Sequence, residues 1–311
     1  CGGIRRTARA HSGPGTSRRP ELTARSARLS LNSVTVRVPA TTANLGPGFD
    51  CIGMALDLWN EVTVERGPFK ITTIGEGAVE LPSDDRNLVV TGAEAAFRAA
   101  KKPFPSLRYT CRNAVPHGRG LGSSSAAVVG GLLAGAALAG LDADLPALLK
   151  LAADIEGHPD NVAPALYGGC CVGVHDGEQW IVGRVPLPEA LNAVVYVPDL
   201  QKSTGALRAM LSSDVSRPEA IYNIGRAALL VTALSTGRLE LLRQATQDRL
   251  HQPARGEVFP AMATIIRAAL DGGAHGAFLS GAGPAVMALT TGREVTVNYE
   301  MCEAARRHQL P

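Results

Sequence analysis

The stretch Pro116-His-Gly-Arg-Gly-Leu-Gly-Ser-Ser-Ser-Ala-Ala127 sets glycines at 118, 120 and 122 ahead of three consecutive hydroxyls at 123–125. Glycine reaches backbone angles closed to other residues and lets the main chain approach a ligand closely. Such a loop can turn several N–H groups toward one point. Residues 123–141 are rich in Ala, Gly, Leu and Val with no proline, which reads as a helix opening at the serines. A helix start carries unpaired N–H groups and the positive end of a dipole, and both favour a phosphate. The chemistry is that of a phosphate cradle, with Ser123, Ser124 and Ser125 available to a phosphate oxygen or Mg²⁺. The plain alternative is a turn that only joins a strand to a helix. No Gly-Lys-Ser/Thr follows, so the Walker pattern does not apply, and no βαβ unit with a following acid supports a dinucleotide fold.

Three other stretches carry polar groups in suggestive company. Pro39-Ala-Thr-Thr-Ala-Asn-Leu-Gly-Pro-Gly-Phe-Asp50 folds Asn44 and Asp50 to either side of a Gly-Pro-Gly turn; both are also ordinary turn residues. Asp154-Ile-Glu-Gly-His-Pro-Asp-Asn161 puts two acids at the end of a helix, where they oppose its dipole. A divalent cation is one compensation, and a solvated surface is the other. Phe278-Leu-Ser-Gly-Ala-Gly-Pro-Ala-Val-Met287 sets a Gly-rich turn between two apolar strands, locally no more than a hairpin. No Cys/His cluster has zinc spacing.

The elements that must position these groups follow from periodicity. Val34, Val36 and Val38 alternate with polar residues and open a strand, and 59–65 alternates again as a second one. Residues 87–100 read as a helix, and 107–115 as the strand that delivers the chain to the glycine loop. Asp144 caps a helix whose apolar face holds Leu145, Leu148, Leu149, Ala152 and Ala153. Residues 192–198 form a strand opening a second domain, and Ser203-Thr204 starts a helix containing Arg208. Helices are expected over 219–235, 238–250 and 299–308.

Composition bounds the class. At 311 residues the chain suits about two domains. A hydrophobic fraction of 45% with 19% charged residues fits a globular protein, and a net charge of +3 is too small to suggest nucleic acid. Residues 1–33 hold seven arginines, no lysine and a single acid, Glu21, so the remainder is slightly acidic. That segment lacks apolar periodicity and is expected to be an unstructured extension. Its composition also suits a transit peptide, which makes a plastid the alternative to the cytoplasm. The six cysteines include no CxxC pair, and reduced thiols of a cytosolic enzyme account for them. The uncharged run 126–141 is short for a membrane span and reads as a buried helix.

The loop string PxGxGLGSSxA resembles the ATP loop of the GHMP kinases. ATTANLGPGFDCIGMAL and EGHPDNVAPALYGG resemble the substrate and middle motifs of the homoserine kinases among them, and residues 278–287 resemble the third GHMP motif. The resemblance spans roughly residues 34–290. It implies an α+β GHMP kinase fold. Its N-terminal ATP-binding domain over 34–190 would be ribosomal protein S5 domain 2-like, and a ferredoxin-like C-terminal domain would cover 191–311. Relatives in that family usually continue to another strand, so the resemblance also implies a truncated C-terminus. It further implies ATP and Mg²⁺, L-homoserine as acceptor, a step toward threonine, a homodimer, and no nucleic acid or membrane partner.

Residue by residue, the resemblance gives Pro116, His117, Gly118, Arg119, Gly120, Leu121, Gly122, Ser123, Ser124, Ser125 and Ala126 to the nucleotide, with Gly281 and Gly283 beside its phosphates. Asn44, Asp50, His158, Asn161 and Thr204 line the substrate site, with Arg208 and Arg255 on the α-carboxylate. Asp50 and Asn161 stand nearest the reacting hydroxyl; Asn cannot accept a proton at neutral pH, so Asp50 orients the hydroxyl for direct attack. Ser124 and Asp154 contact the metal, with Glu156 as the substitute for Asp154. The competing readings are a kinase of the mevalonate or shikimate type and a nucleotide-binding relic without activity.

Overall fold

The computed structural model describes residues 6–9, 31–200 and 204–310. The chain enters through a short strand, β1 (Arg6–Arg9), and then builds a long antiparallel hairpin from β2 (Ser33–Asn44) and β3 (Gly48–Arg66). The second strand expected over 59–65 is only the last third of β3. Residues 52–56 do not alternate because they are buried on both faces, which erases the period-2 pattern. The remaining elements of the first sheet are β4 (Lys70–Gly75), β5 (Leu107–Asn113), β6 (Cys170–His175) and β7 (Trp180–Val185). The sheet runs β4-β5-β3-β6-β7, with β2 on β3.

Helices α1 (Leu88–Ala99), α2 (Ser123–Ala139), α3 (Leu145–Glu156) and α4 (Val162–Tyr167) belong to this half. Asn87 caps α1 by accepting from Val89 N at 3.1 Å. Asp144 caps α3 through Ala147 N at 2.9 Å, as the sequence predicts. Helix α2 is buried along most of its length, as the absence of charge requires. Among the described residues no helix is long and apolar enough to cross a membrane.

The second sheet takes β8 (Asn192–Tyr196), β9 (Gly276–Leu279) and β10 (Val286–Thr290) in the order β1-β8-β10-β9, all antiparallel. The pairing of β1 with β8 departs from the unstructured extension expected over 1–33. A free sheet edge recruits backbone whatever the side-chain pattern. Residues 1–5 and 10–30, and with them most of that expectation, lie outside the described residues, as does Ser203.

Around the second sheet lie α5 (Thr204–Ala209), α6 (Arg217–Thr236), α7 (Leu242–Ala245), α8 (Gln252–Val258), α9 (Ala261–Asp271) and α10 (Glu294–Arg307). The helix expected over 238–250 is absent as such: a 3₁₀ turn and the four-residue α7 replace it. The carboxylate of Asp248 accepts from the backbone N–H of Leu250, His251 and Gln252 at 2.7–3.0 Å. Side-chain bonds of this kind compete with helix propagation, and here they start α8 instead. The final helix begins at Glu294 rather than near 299.

The core joins the two sheets. Leu45, Met54, Leu56 and Leu121 share one apolar cluster with Val195, Leu230, Phe278 and Met287. Each such side chain contributes about 1.5–3 kcal/mol when fully buried. The glycine loop and the hairpin turn are therefore fixed against the second half of the chain.

Candidate active site

Three chain segments meet at the mouth of α2. Thr41 N donates to Leu121 O at 3.1 Å, Ala285 N to Arg119 O at 3.1 Å, and Gly281 N to Ala43 O at 3.0 Å. Ser280 Oγ is hydrogen-bonded to Gly120 O at 2.6 Å and to Thr42 Oγ1 at 2.8 Å. Glycine is obligatory at two points of the loop. A Cβ on Gly120 would run into Ser280 O, and one on Gly122 (φ +66°) would run into Thr41 Oγ1. The outermost of these segments lie 238 residues apart in sequence, with the glycine loop between them, and the fold makes the three one floor.

A cavity of about 330 Å³ opens above that floor, lined by Gly118, Gly120, Gly122, Ser123, Ser124, Glu156, His158 and Gly281 among others. The 17-residue α2 points its N-terminus into it, so first-turn amides and the helix dipole face the space. A second cavity of about 240 Å³ shares His117, Ser123 and Ser124 with the first and continues past Asn60, Asn87 and Leu88. The two cavities therefore adjoin at the start of α2.

Not every loop residue faces these cavities. Leu121 and Ala126 go to the apolar core, and Pro116 is buried. Arg119 turns toward the second half of the chain, its Nη2 donating to Asp199 at 2.8 Å. Gly283 N closes the third motif's turn on Ser280 O at 2.8 Å.

The acids at the end of α3 require a correction. Asp154 pairs with Lys150 at 2.8 Å one helical turn away, on an exposed face. Glu156 instead accepts from Ser124 Oγ at 3.1 Å and from the buried Ser125 Oγ at 2.8 Å. The dipole conflict at the C-terminus of α3 is relieved because Glu156 faces the positive start of α2. Periodicity explains the outcome: Asp154 is placed over Lys150, and the two-residue step to Glu156 turns it to another side. One carboxylate and a hydroxyl beside a phosphate-sized cavity suit Mg²⁺, which takes few protein ligands and completes its shell with phosphate and water. Among the described residues no group of three or more His, Cys, Asp or Glu side chains forms a metal cluster.

The substrate side is a charged cluster around the hairpin turn. Asp50 accepts two hydrogen bonds from Arg208, from Nη1 and Nη2, each 2.7 Å long. These bonds raise the Arg208 pKa. Arg255 is buried, its Nη1 donating to Gly281 O at 2.9 Å and to His251 Nδ1 at 2.8 Å, while its Nε is buried without a partner. Burial, with the nearby Arg208 charge, lowers the Arg255 pKa to about 10, so it remains cationic at neutral pH. His251 is wholly buried and donates from Nε2 to Gly46 O at 2.8 Å. Burial pushes its pKa down, and a neutral ring with Nε2–H leaves Nδ1 to accept from Arg255.

The Asn44 Oδ1 accepts from Asp50 N and its Nδ2 donates to Gly281 O, both at 3.0 Å, and the residue is buried. It braces the hairpin turn against the third motif, with one hydrogen bond at each end of its amide. Asn161 is also held: Thr41 Oγ1 donates to its Oδ1 at 2.7 Å, and its Nδ2 donates to Asp160 at 3.3 Å. His158 donates from Nδ1 to the same Asp160 oxygen at 2.6 Å. Burial alone would lower the His158 pKa, but the Asp160 hydrogen bond and the charges of Asp160, Asp50 and Glu156 outweigh it and raise the value. Thr204 opens α5 beside this cluster in sequence; its side chain lies outside the described residues.

Comparison with known proteins meets this geometry. The GHMP kinases N-terminal domain matches residues 87–169, and the GHMP kinases C-terminal domain matches residues 230–304. Homoserine kinase of Moorella thermoacetica is 42% identical over 273 residues, covering 88% of this chain and 92% of that one. The chain belongs to the homoserine kinase family of the GHMP kinases. The Synechococcus homoserine kinase is 44% identical over 262 residues, covering 83% of this chain and 86% of its own length. The crystal structure of homoserine kinase from Cytophaga hutchinsonii superposes with a TM-score of 0.82 at 29% identity, covering 94% of this chain and 95% of that one. A Streptococcus pneumoniae phosphomevalonate kinase shares the fold at 14% identity and a TM-score of 0.69, over 87% of this chain and 97% of that one. The α+β architecture expected for the family is the one observed.

Four members of the site were not singled out from the sequence: Phe49, Asp160, Asp248 and His251. Phe49 and Asp160 lie inside the very motifs that carry the resemblance. Their types, an aromatic and an acid buried behind another residue, gave no chemical reason to select them. His251 had no local signal, since its partner Gly46 lies in the hairpin turn, and Asp248 combines local backbone donors with the distant Asn223.

Proposed function

We propose that the protein transfers the γ-phosphoryl group of ATP to the side-chain hydroxyl of L-homoserine, giving O-phospho-L-homoserine and ADP, a step toward threonine. The observation that carries this reading is the cluster of Asp50, Arg208 and Arg255 beside the glycine-loop cavity. An acid with two guanidinium groups is complementary to an α-amino acid: carboxylate for ammonium, and a planar donor fork for carboxylate. The loop amides and Ser123 hold the phosphates, and the neighbouring cavity takes the nucleoside. Ser124 and Glu156 would hold Mg²⁺, which when bound offsets phosphate charge.

The chain's own contribution is positioning. Phosphoryl transfer asks for alignment and charge neutralisation more than for covalent help. With the Asp50 backbone fixed by Asn44 and Asn161 fixed by Thr41, one Asp50 oxygen can take the ammonium while the other turns the acceptor hydroxyl, without a dedicated base. Cys51, Cys111, Cys170, Cys171 and Cys302 are free thiols, in keeping with the cytoplasm. The test is Mg²⁺-dependent ADP release with L-homoserine, mevalonate or shikimate as acceptor. Stimulation by homoserine alone supports the reading; stimulation by mevalonate or shikimate instead, or by none of them, refutes it.

A further inference from the structure

The two arginines of the cluster share a neighbour that no hydrogen bond reveals. The Phe49 ring has the Arg208 guanidinium carbon 5.6 Å from its centroid and that of Arg255 at 5.7 Å. His251, which accepts from Arg255, stacks on the same ring at 5.3 Å with 29° between planes. Phe49 precedes Asp50, the carboxylate that Arg208 grips with both terminal nitrogens. Three polar side chains of the site thus converge on one half-buried ring.

We propose that Phe49 is a positioning residue that sets the stations of Arg208 and Arg255 for a substrate carboxylate, an assignment resting on the amino-acid acceptor reading. Without substrate, Asp50 and Arg208 neutralise each other. A zwitterionic acceptor must exchange with that pair, its ammonium taking Asp50 and its carboxylate taking Arg208. Once Asp50 turns to the ammonium, the hydrogen bonds that fixed Arg208 are given up. The ring remains. Its electron-rich face attracts a guanidinium without using any N–H donor, so Arg208 stays in place with its fork free. The same attraction offsets the cost of holding two like charges together, and the His251 stack keeps the ring itself from rotating away. Leucine at 49 fills space but offers no such face.

The test compares wild type, Phe49→Leu and Phe49→Tyr with two acceptors, L-homoserine and 2-aminobutane-1,4-diol, which replaces the carboxylate by a neutral group. Phe49→Leu is expected to raise the homoserine KM about tenfold, as two cation–π contacts of ordinary strength imply. Its kcat and ATP KM stay near wild type. Phe49→Tyr, which keeps the aromatic face, restores the homoserine KM. With the diol, Leu and Phe at 49 behave alike. A Phe49→Leu defect of equal size on the diol, or a parallel rise in ATP KM, overturns the proposal and marks the ring as general packing. So does an unchanged homoserine KM. If wild type itself shows no homoserine-stimulated turnover while ATP binds, the acceptor reading falls first and this role falls with it.

Discussion

Glu156 and Asp154 lie two residues apart on α3, and their expected substitution effects differ by orders of magnitude. Gln at 156 is nearly isosteric with Glu, and its carbonyl oxygen can still accept from Ser124 and Ser125, now 3.1 and 2.8 Å from the carboxylate. Since both hydroxyls keep a partner, the change in stability is held to about 1 kcal/mol. The charge, however, is lost from the point where phosphate and Mg²⁺ meet. Removing one preorganised group that stabilises transition-state charge costs about 2.7–4 kcal/mol, a fall in kcat of about 10²–10³. Asp154→Asn breaks only an exposed pair with Lys150, worth about 0.2–1 kcal/mol, and should leave kcat within about twofold. Both variants and wild type are compared by ADP release across a Mg²⁺ titration, with thermal unfolding as a control for folding. Near-normal turnover in Glu156→Gln, or an equal fall in Asp154→Asn, refutes the placement of the metal-facing carboxylate at 156.

Gly122→Ala forces a left-handed backbone angle on a residue with a Cβ and drives that carbon toward Thr41 Oγ1. It should lower stability by about 1–3 kcal/mol and weaken ATP binding, measured by denaturant unfolding and nucleotide titration. Near wild-type values in both would show that the loop can relax. His251 has a folded pKa below its unfolded value because it is buried. Its contribution to stability is therefore present above about pH 6.5 and is lost as pH falls through the folded value. Unfolding free energy measured from pH 8 to pH 5 should decline on the acid side, and His251→Gln should flatten that slope; an unaltered slope would assign the acid loss to other groups.

The glycine loop, the helix behind it and the hairpin turn were legible because each is specified locally, by glycines, serines and an alternating strand. Glu156 over Asp154 was not. Choosing between them requires knowing which face of α3 looks at α2, and the apolar pattern of a short helix leaves that angle loose. The brace made by Asn44 was hidden for a related reason: a turn residue's free amide cannot be told from a braced one until Gly281, far along the chain, comes beside it. The helix expected over 238–250 failed because Asp248 takes its partners from the next helix's backbone. For Glu156 and Asn44 the missing information was a long-range contact to a polar group; for Asp248 it was local, a side chain capping the next helix rather than continuing the last.

The stitching of Gly281 to Asn44 and of Ser280 to Gly120 has a consequence for recombination. A chimera that joins the first 190 residues of this chain to the second half of a relative with another acceptor would not transplant specificity cleanly. The second half brings both arginines, but their stations rest on Phe49, Gly46 and Asn44 of the first. Acceptor preference is therefore not a detachable cassette. It moves only when the hairpin turn and the third motif are exchanged together, which makes the pair, rather than either half, the unit that engineering or gene shuffling can trade.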